Sequence, residues 1–200
     1  MALEFGTAKS VDMSSNVIVQ KVKIHDINVT YGEKQDWQQF SDDIGLDITL
    51  DIGKDFKPSF YIGGSFKIDD VNGEIVGWGR AFKVKMFFDA IGLPIRLAKG
   101  TSVSENKLPE GAKEAIIGKE FARLAYMTNK MKANGSSRWK DWQDTAAVGE
   151  ESKLKAQFDK AVADGYIKDF CPPGTTPDSA SKDVSWDNME GEDPTKGLPL

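Results

Sequence analysis

From Leu46 to Ile52 the chain alternates strictly, with Leu46, Ile48, Leu50 and Ile52 separated by Asp47, Thr49 and Asp51. Successive side chains of a strand point to opposite faces, so this run predicts a strand with one face in a core and the other in water. The same period of two recurs from Val17 to Val29, but its phase changes after Val19 and again after Ile24. One long strand or two, broken where bulges would fit, accounts for those changes. Residues 60–68 and 74–78 flank Asn72-Gly73, a pair suited to the positive φ angles of a tight turn, and predict a hairpin. Asn134-Gly135 predicts a second hairpin within residues 120–143. With those two residues as its loop, Lys130 would face Trp139 and Met127 would face Trp142. Tyr126, Lys130, Lys132 and Trp139 would then share one face, and Met127, Met131, Arg138, Lys140 and Trp142 the other.

Two stretches change to helical spacing. Phe82, Met86, Phe87, Ala90 and Ile91 recur at three and four residues and predict a helix on the sheet, ended by Gly92 and Pro94. Leu154, Phe158, Ala161 and Val162 form a similar stripe behind leading acids, stopped by Gly165, and predict a closing helix over residues 150–164. Residues 31–43 are polar around Trp37 and Phe40 and read as a loop or helical turn.

These elements fit one mainly β (α+β) domain at residues 13–171, because 200 residues with 40% hydrophobic content support a single core. Residues 1–12, MALEFGTAKSVD, read as a tag or flexible arm, since their dipeptides match common cloning sites. Residues 172–200 are rich in Pro, Ser, Thr, Gly and acids with Trp186 as their only aromatic, and predict a disordered tail. The formal net charge is −5, of which the tail carries −4, so the domain itself is close to neutral. Local clusters therefore decide what a partner meets. No apolar run approaches the roughly 18 residues of a membrane span, and the single Cys171 excludes an internal disulfide and a multi-cysteine zinc site. A cytoplasmic protein with no membrane partner is the expectation.

The inventory is poor in catalytic chemistry. His25 is the only histidine and lies in a strand pattern, where a structural role fits better than a nucleophile's base. GAKEAIIGKE departs from a phosphate loop, because six residues separate Gly111 from Gly118 and Glu120 stands where a magnesium-binding hydroxyl is needed. Gly73, Gly77 and Gly79 follow no dinucleotide spacing. Asp42, Asp43, Asp47, Asp51, Asp69 and Asp70 could hold a divalent ion for nuclease chemistry, although solvated strand and turn faces account for them more simply. A metal-dependent nuclease is thus a minor alternative, and the main expectation is a non-enzyme without cofactor or metal.

Residues 119–143 carry Lys119, Arg123, Lys130, Lys132, Arg138 and Lys140 against Glu120 and Asp141, interleaved with Phe121, Tyr126, Trp139 and Trp142. Arg80, Lys83, Lys85, Arg96 and Lys99 against Asp89 form a second basic stretch. Single-stranded nucleic acid is held by such a combination, since cations track the backbone and rings stack on unpaired bases. The candidate contacts are Tyr126, Trp139 and Trp142 for stacking, with Lys130, Lys132, Arg138, Lys140, Arg80, Lys83 and Lys85 on phosphates.

In overall organisation, a β-rich domain with local basic clusters followed by acids and the apolar Gly197-Leu198-Pro199-Leu200, the chain resembles phage-type single-stranded DNA-binding proteins. Gly118-Lys119 ahead of a Lys-rich hairpin is similar to some phage recombination and replication proteins. The resemblance implies an oligonucleotide-binding (OB-fold-like) barrel with one or two helices that coats single-stranded DNA during replication or recombination. It also implies a tail that competes with DNA and recruits replication or recombination proteins in the bacterial host cell. Where bacterial relatives end in acids followed by Pro-Phe, this chain has Lys196 before Leu-Pro-Leu. Self-association is compatible with this reading, and a phage structural or assembly protein is its alternative from another class.

Overall fold

The alternating run forms a central strand, and the rest of the molecule is arranged around the core it faces. The computed structural model describes residues 16–33, 38, 41–53, 55–129 and 139–173. Strands β1 (Val17–Thr30), β2 (Ile44–Asp51) and β3 (Ser59–Gly64) form an antiparallel meander. Strands β4 (Lys67–Ile68) and β5 (Ile75–Gly77) form a separate ribbon, and helix α1 (Phe82–Ala90) follows a 3-10 turn at Gly79–Ala81. The short helix α2 (Ala112–Ile116) leads into β6 (Glu120–Met127) and β7 (Trp139–Ala146), and α3 (Glu151–Ala163) comes last. The main sheet has five strands in the order β3-β2-β1-β6-β7. It curls so that β3 and β7 approach one another without pairing, a nearly closed barrel of the OB-like kind.

The barrel interior is built from the inward positions of the alternating strands. Leu46, Ile48 and Leu50 of β2, Phe60 and Ile62 of β3, and Val22, Ile24 and Ile27 of β1 are buried there. The phase change after Ile24 is a slip in the pairing with β2 between Ile24 and Asp26, the bulge expected there, whereas the one after Val19 has no slip, Val17 and Val19 packing on the α3 side and Val22 in the barrel. His25 sits at that bulge, exposed, with Lys57 Nζ about 3 Å from its ring nitrogens. Helix α1 fills the gap between β3 and β7, and drives Val84, Phe87 and Phe88 into the core.

Both faces of β6 are covered, which gives the fold a third layer. Phe121 points into the barrel, while Ala122, Leu124 and Tyr126 pack outward with Leu154 and Phe158 of α3. The chain after α3 returns along the end of β6, where Phe170 bridges Thr128 and Cys171 N donates to Met127 O at 2.9 Å. Among the described residues no helix is long and apolar enough to cross a membrane.

Three sequence expectations change, and one helix was not foreseen. The helical stripe is Val84, Phe87, Phe88 and Ile91, so Phe82 turns outward and is 49% exposed. The two spacings overlap within the same apolar run, and periodicity alone does not choose between them. The Asn72-Gly73 hairpin involves only β4 and β5, because β3 belongs to the main sheet, and its loop spans six residues. Asp69 Oδ1 accepts from Val71 N and Asn72 Oδ1 from Glu74 N, and Gly73 alone takes a positive φ, 72°. Residues 112–116 form α2, a helix that no sequence expectation covered, because five residues are too few to leave a periodic signature. The β6–β7 register is also different: Met127 pairs with Trp139 and Tyr126 with Lys140. The shift is an odd number of residues, so the faces exchange partners. Tyr126, Lys140 and Trp142 share one face, and Trp139 lies on the other. Lys130, Lys132, Arg138, Trp37, Phe40, residues 1–12 and the tail from residue 174 onward lie outside the described residues.

Candidate nucleic-acid interface

The gap between β3 and β7 is roofed from within by α1, and the solvent side of that gap is a long groove. Two cavities, of about 730 and 630 Å³, share Tyr61, Lys83 and Gln143 and so run into one another along it. β3 supplies one wall through Tyr61, Gly63 and Gly64, and β7 supplies the other through residues 139–144. The outward side of α1 provides the floor through Phe82, Lys83 and Met86.

Rings line this groove at several levels. The Tyr61 hydroxyl donates to Asp42 Oδ2 at 2.8 Å, and Gln38 Nε2 lies within hydrogen-bond reach of both. Burial and the bond to Asp42 push the Tyr61 phenol well above its ordinary pKa, so it stays protonated and fixed. Phe82 is half exposed at the upper end, and Tyr166, beyond α3, is 81% exposed at the lower end. Trp139 and Trp142 also reach the lower part, each partly buried.

The groove's cations are distributed among carboxylates. Arg80 is exposed, its Nη2 donating to Ser65 Oγ at 3.2 Å. Lys83 pairs with Asp144 at 3.0 Å across the floor, and Lys140 pairs with Asp169 at 3.0 Å on the lower rim. Both pairs stay partly open to solvent, where screening keeps an ion pair's worth small, so a phosphate can exchange for the carboxylate at modest cost. Burial alone would raise the Asp169 carboxyl, but hydrogen bonds from Lys140 and Tyr126 outweigh it and hold it below the usual range. Burial likewise opposes the charge on Lys140, and Asp169 and Tyr126 reverse that effect and raise its pKa. Deeper, Arg123 Nη1 meets Asp141 Oδ1 at 3.2 Å, the two contacting atoms buried, and ties β6 to β7.

The sequence-derived candidates therefore separate. Lys83, Arg80, Trp139, Lys140 and Trp142 come together on the groove. Tyr126 is only 3% exposed, its ring packed against Phe158 and Phe170 at 5.2 and 6.3 Å between centroids. Lys85 pairs with Asp89 and lies over the Phe82 ring at 5.9 Å, outside the groove lining. Tyr61, Phe82 and Tyr166 were not singled out from sequence. Tyr61 carried one usable signal, an aromatic at an outward position between buried Phe60 and Ile62.

Five of the six acids that suggested a metal site, Asp42, Asp43, Asp47, Asp51 and Asp69, have other partners. Asp43 Oδ2 caps Phe66 N at 2.8 Å, Asp47 accepts from Ser59 Oγ, and Asp51 Oδ1 caps Gly53 N at 2.9 Å. Among the described residues no group of three or more His, Cys, Asp and Glu is placed to hold a metal ion. No protein-family model, curated protein or solved structure matches this chain.

Proposed function

We propose that the groove between β3 and β7 binds single-stranded DNA without sequence preference, in phage replication or recombination. Bases stack on Tyr61, Phe82, Trp139 and Tyr166, and the backbone follows Arg80, Lys83 and Lys140. The carrying observation is that rings and cations line one open groove on a barrel of this kind, with Lys83 and Lys140 held by carboxylates that a phosphate can replace. Stacking supplies about 1 to 3 kcal/mol per base and tolerates any base, whereas the cations add a salt-sensitive term. Lys130, Lys132 and Arg138, which belong to the connection between β6 and β7, extend the same reading beyond the described residues. The acidic tail competes with DNA for these cations and offers its apolar residues to replication or recombination proteins.

Photocrosslinking to a bromodeoxyuridine oligomer tests the assignment. Adducts are expected on peptides containing Tyr61, Phe82, Trp139 and Tyr166. Adducts confined to the outer face of α3, around Lys153 and Lys160, would overturn it.

A further inference from the structure

The groove's lower rim contains a carboxylate placed where the proposed function needs a phosphate. Asp169 accepts from Lys140 Nζ at 3.0 Å and from the Tyr126 hydroxyl at 3.0 Å, and it lines the cavity beside Trp139 and Tyr166. It belongs to a strap, residues 166–171, laid along the end of β6. Asn129 N donates to Asp169 O at 2.8 Å, Cys171 N to Met127 O at 2.9 Å, and Asn16 Nδ2 to Cys171 O at 2.7 Å. Phe170 anchors the strap against Tyr126 and Phe158.

We infer that Asp169 is a built-in stand-in for a DNA phosphate, and that the strap is a latch which strand binding opens. The inference rests on the groove being a DNA site. A phosphate that takes Lys140 deprives Asp169 of its cation and leaves its carboxylate facing a like charge. Strap residues 169–171 then lose their ionic tie to the groove, keeping the Tyr126 hydroxyl on Asp169, the Asn16 amide on Cys171, the backbone bonds to β6 and the packing of Phe170. Groove occupancy is thereby transmitted to the chain beyond Pro173, the segment that carries the acidic tail. Local openings of this size are ordinary for short peripheral segments.

Cys171 is the chain's one cysteine and its side chain is buried at the end of the strap, so its thiol reports latch opening. The test follows thiol labelling by a disulfide reagent in the full chain and in Asp169→Asn, with and without a thymidine 20-mer, while fluorescence anisotropy reads binding. Labelling is expected to accelerate on adding the oligomer, and Asp169→Asn should label faster without DNA and bind roughly threefold tighter, the size of one exposed ion pair. Binding with unchanged or slower labelling, or with an Asp169→Asn affinity no tighter than wild type, would overturn the latch and leave the DNA site standing. No binding by either protein would remove the DNA reading and the latch together.

Discussion

The Tyr61 hydroxyl oxygen lies 2.5 Å from the point where a Cβ at Gly63 would stand. Gly45, paired with Gly63 across β2 and β3, leaves the same room on its own strand, again 2.5 Å from that oxygen. The phenol thus rests on a floor of two glycines while Asp42 holds its hydroxyl. A ring laid along a sheet in this way is prepared for stacking before any ligand arrives, which limits the ordering cost of binding.

Removing that ring should weaken binding of a thymidine oligomer by about 1 to 3 kcal/mol in Tyr61→Ala, the value of one stacked base. Tyr61→Phe keeps the ring and should lose much less. Anisotropy titrations of the two variants separate stacking from the hydroxyl's tether to Asp42.

Replacing both Arg80 and Lys83 by Glu should weaken binding and flatten its salt dependence by about one unit of slope for each phosphate no longer neutralised. Parallel titrations over a range of salt concentrations check this. An unchanged slope would place the backbone elsewhere on the surface.

Phe158 joins the third layer to the barrel. It is fully buried, with ring centroids 5.2 Å from Tyr126 and 5.5 Å from both Trp142 and Phe170. Phe158→Ala is expected to cost about 3 to 5 kcal/mol in urea unfolding, the usual range for a buried phenylalanine. A loss well under about 1 kcal/mol would mean that α3 adds little to the domain's stability.

The Lys140–Asp169 pair gives stability a defined pH dependence. The folded Asp169 pKa is depressed, so its contribution is complete above the ordinary aspartate value of about 4 and disappears as pH falls through the folded value. Lys140 is raised, so its contribution holds below about 10.4 and is lost as pH rises through its folded value. The difference in thermal midpoint between wild type and Asp169→Asn should be steady near neutrality and shrink below about pH 4.

Much of the barrel was legible in the sequence, because its strands obey a period of two and each buries one face. The alternation in β2, the bulge at His25 in β1 and the acid-led stripe of α3 are local signals, and they correspond to local structure. What was hidden depends on parts distant in the chain. The outward face of Tyr126 meets a helix more than twenty residues later, so its mixture of cations and rings read as open surface. The β6–β7 register was inferred from Asn134-Gly135 as a two-residue loop, but among the described residues Met127 pairs with Trp139 instead of Trp142, and Thr128 bridges to Phe170. Arg80, Lys83 and Trp139 were marked as candidates from two separate stretches. Their convergence on one groove follows from α1 filling the gap between β3 and β7, a long-range arrangement that no local pattern encodes.

The most direct test is a fluorescence titration of the protein's five tryptophans with a thymidine oligomer at low and moderate salt. Trp139 and Trp142 border the groove, so quenching that saturates with oligomer and weakens as salt rises is expected. Unchanged fluorescence throughout, at protein and oligomer concentrations high enough to detect weak binding, would contradict the assignment of the groove to single-stranded DNA.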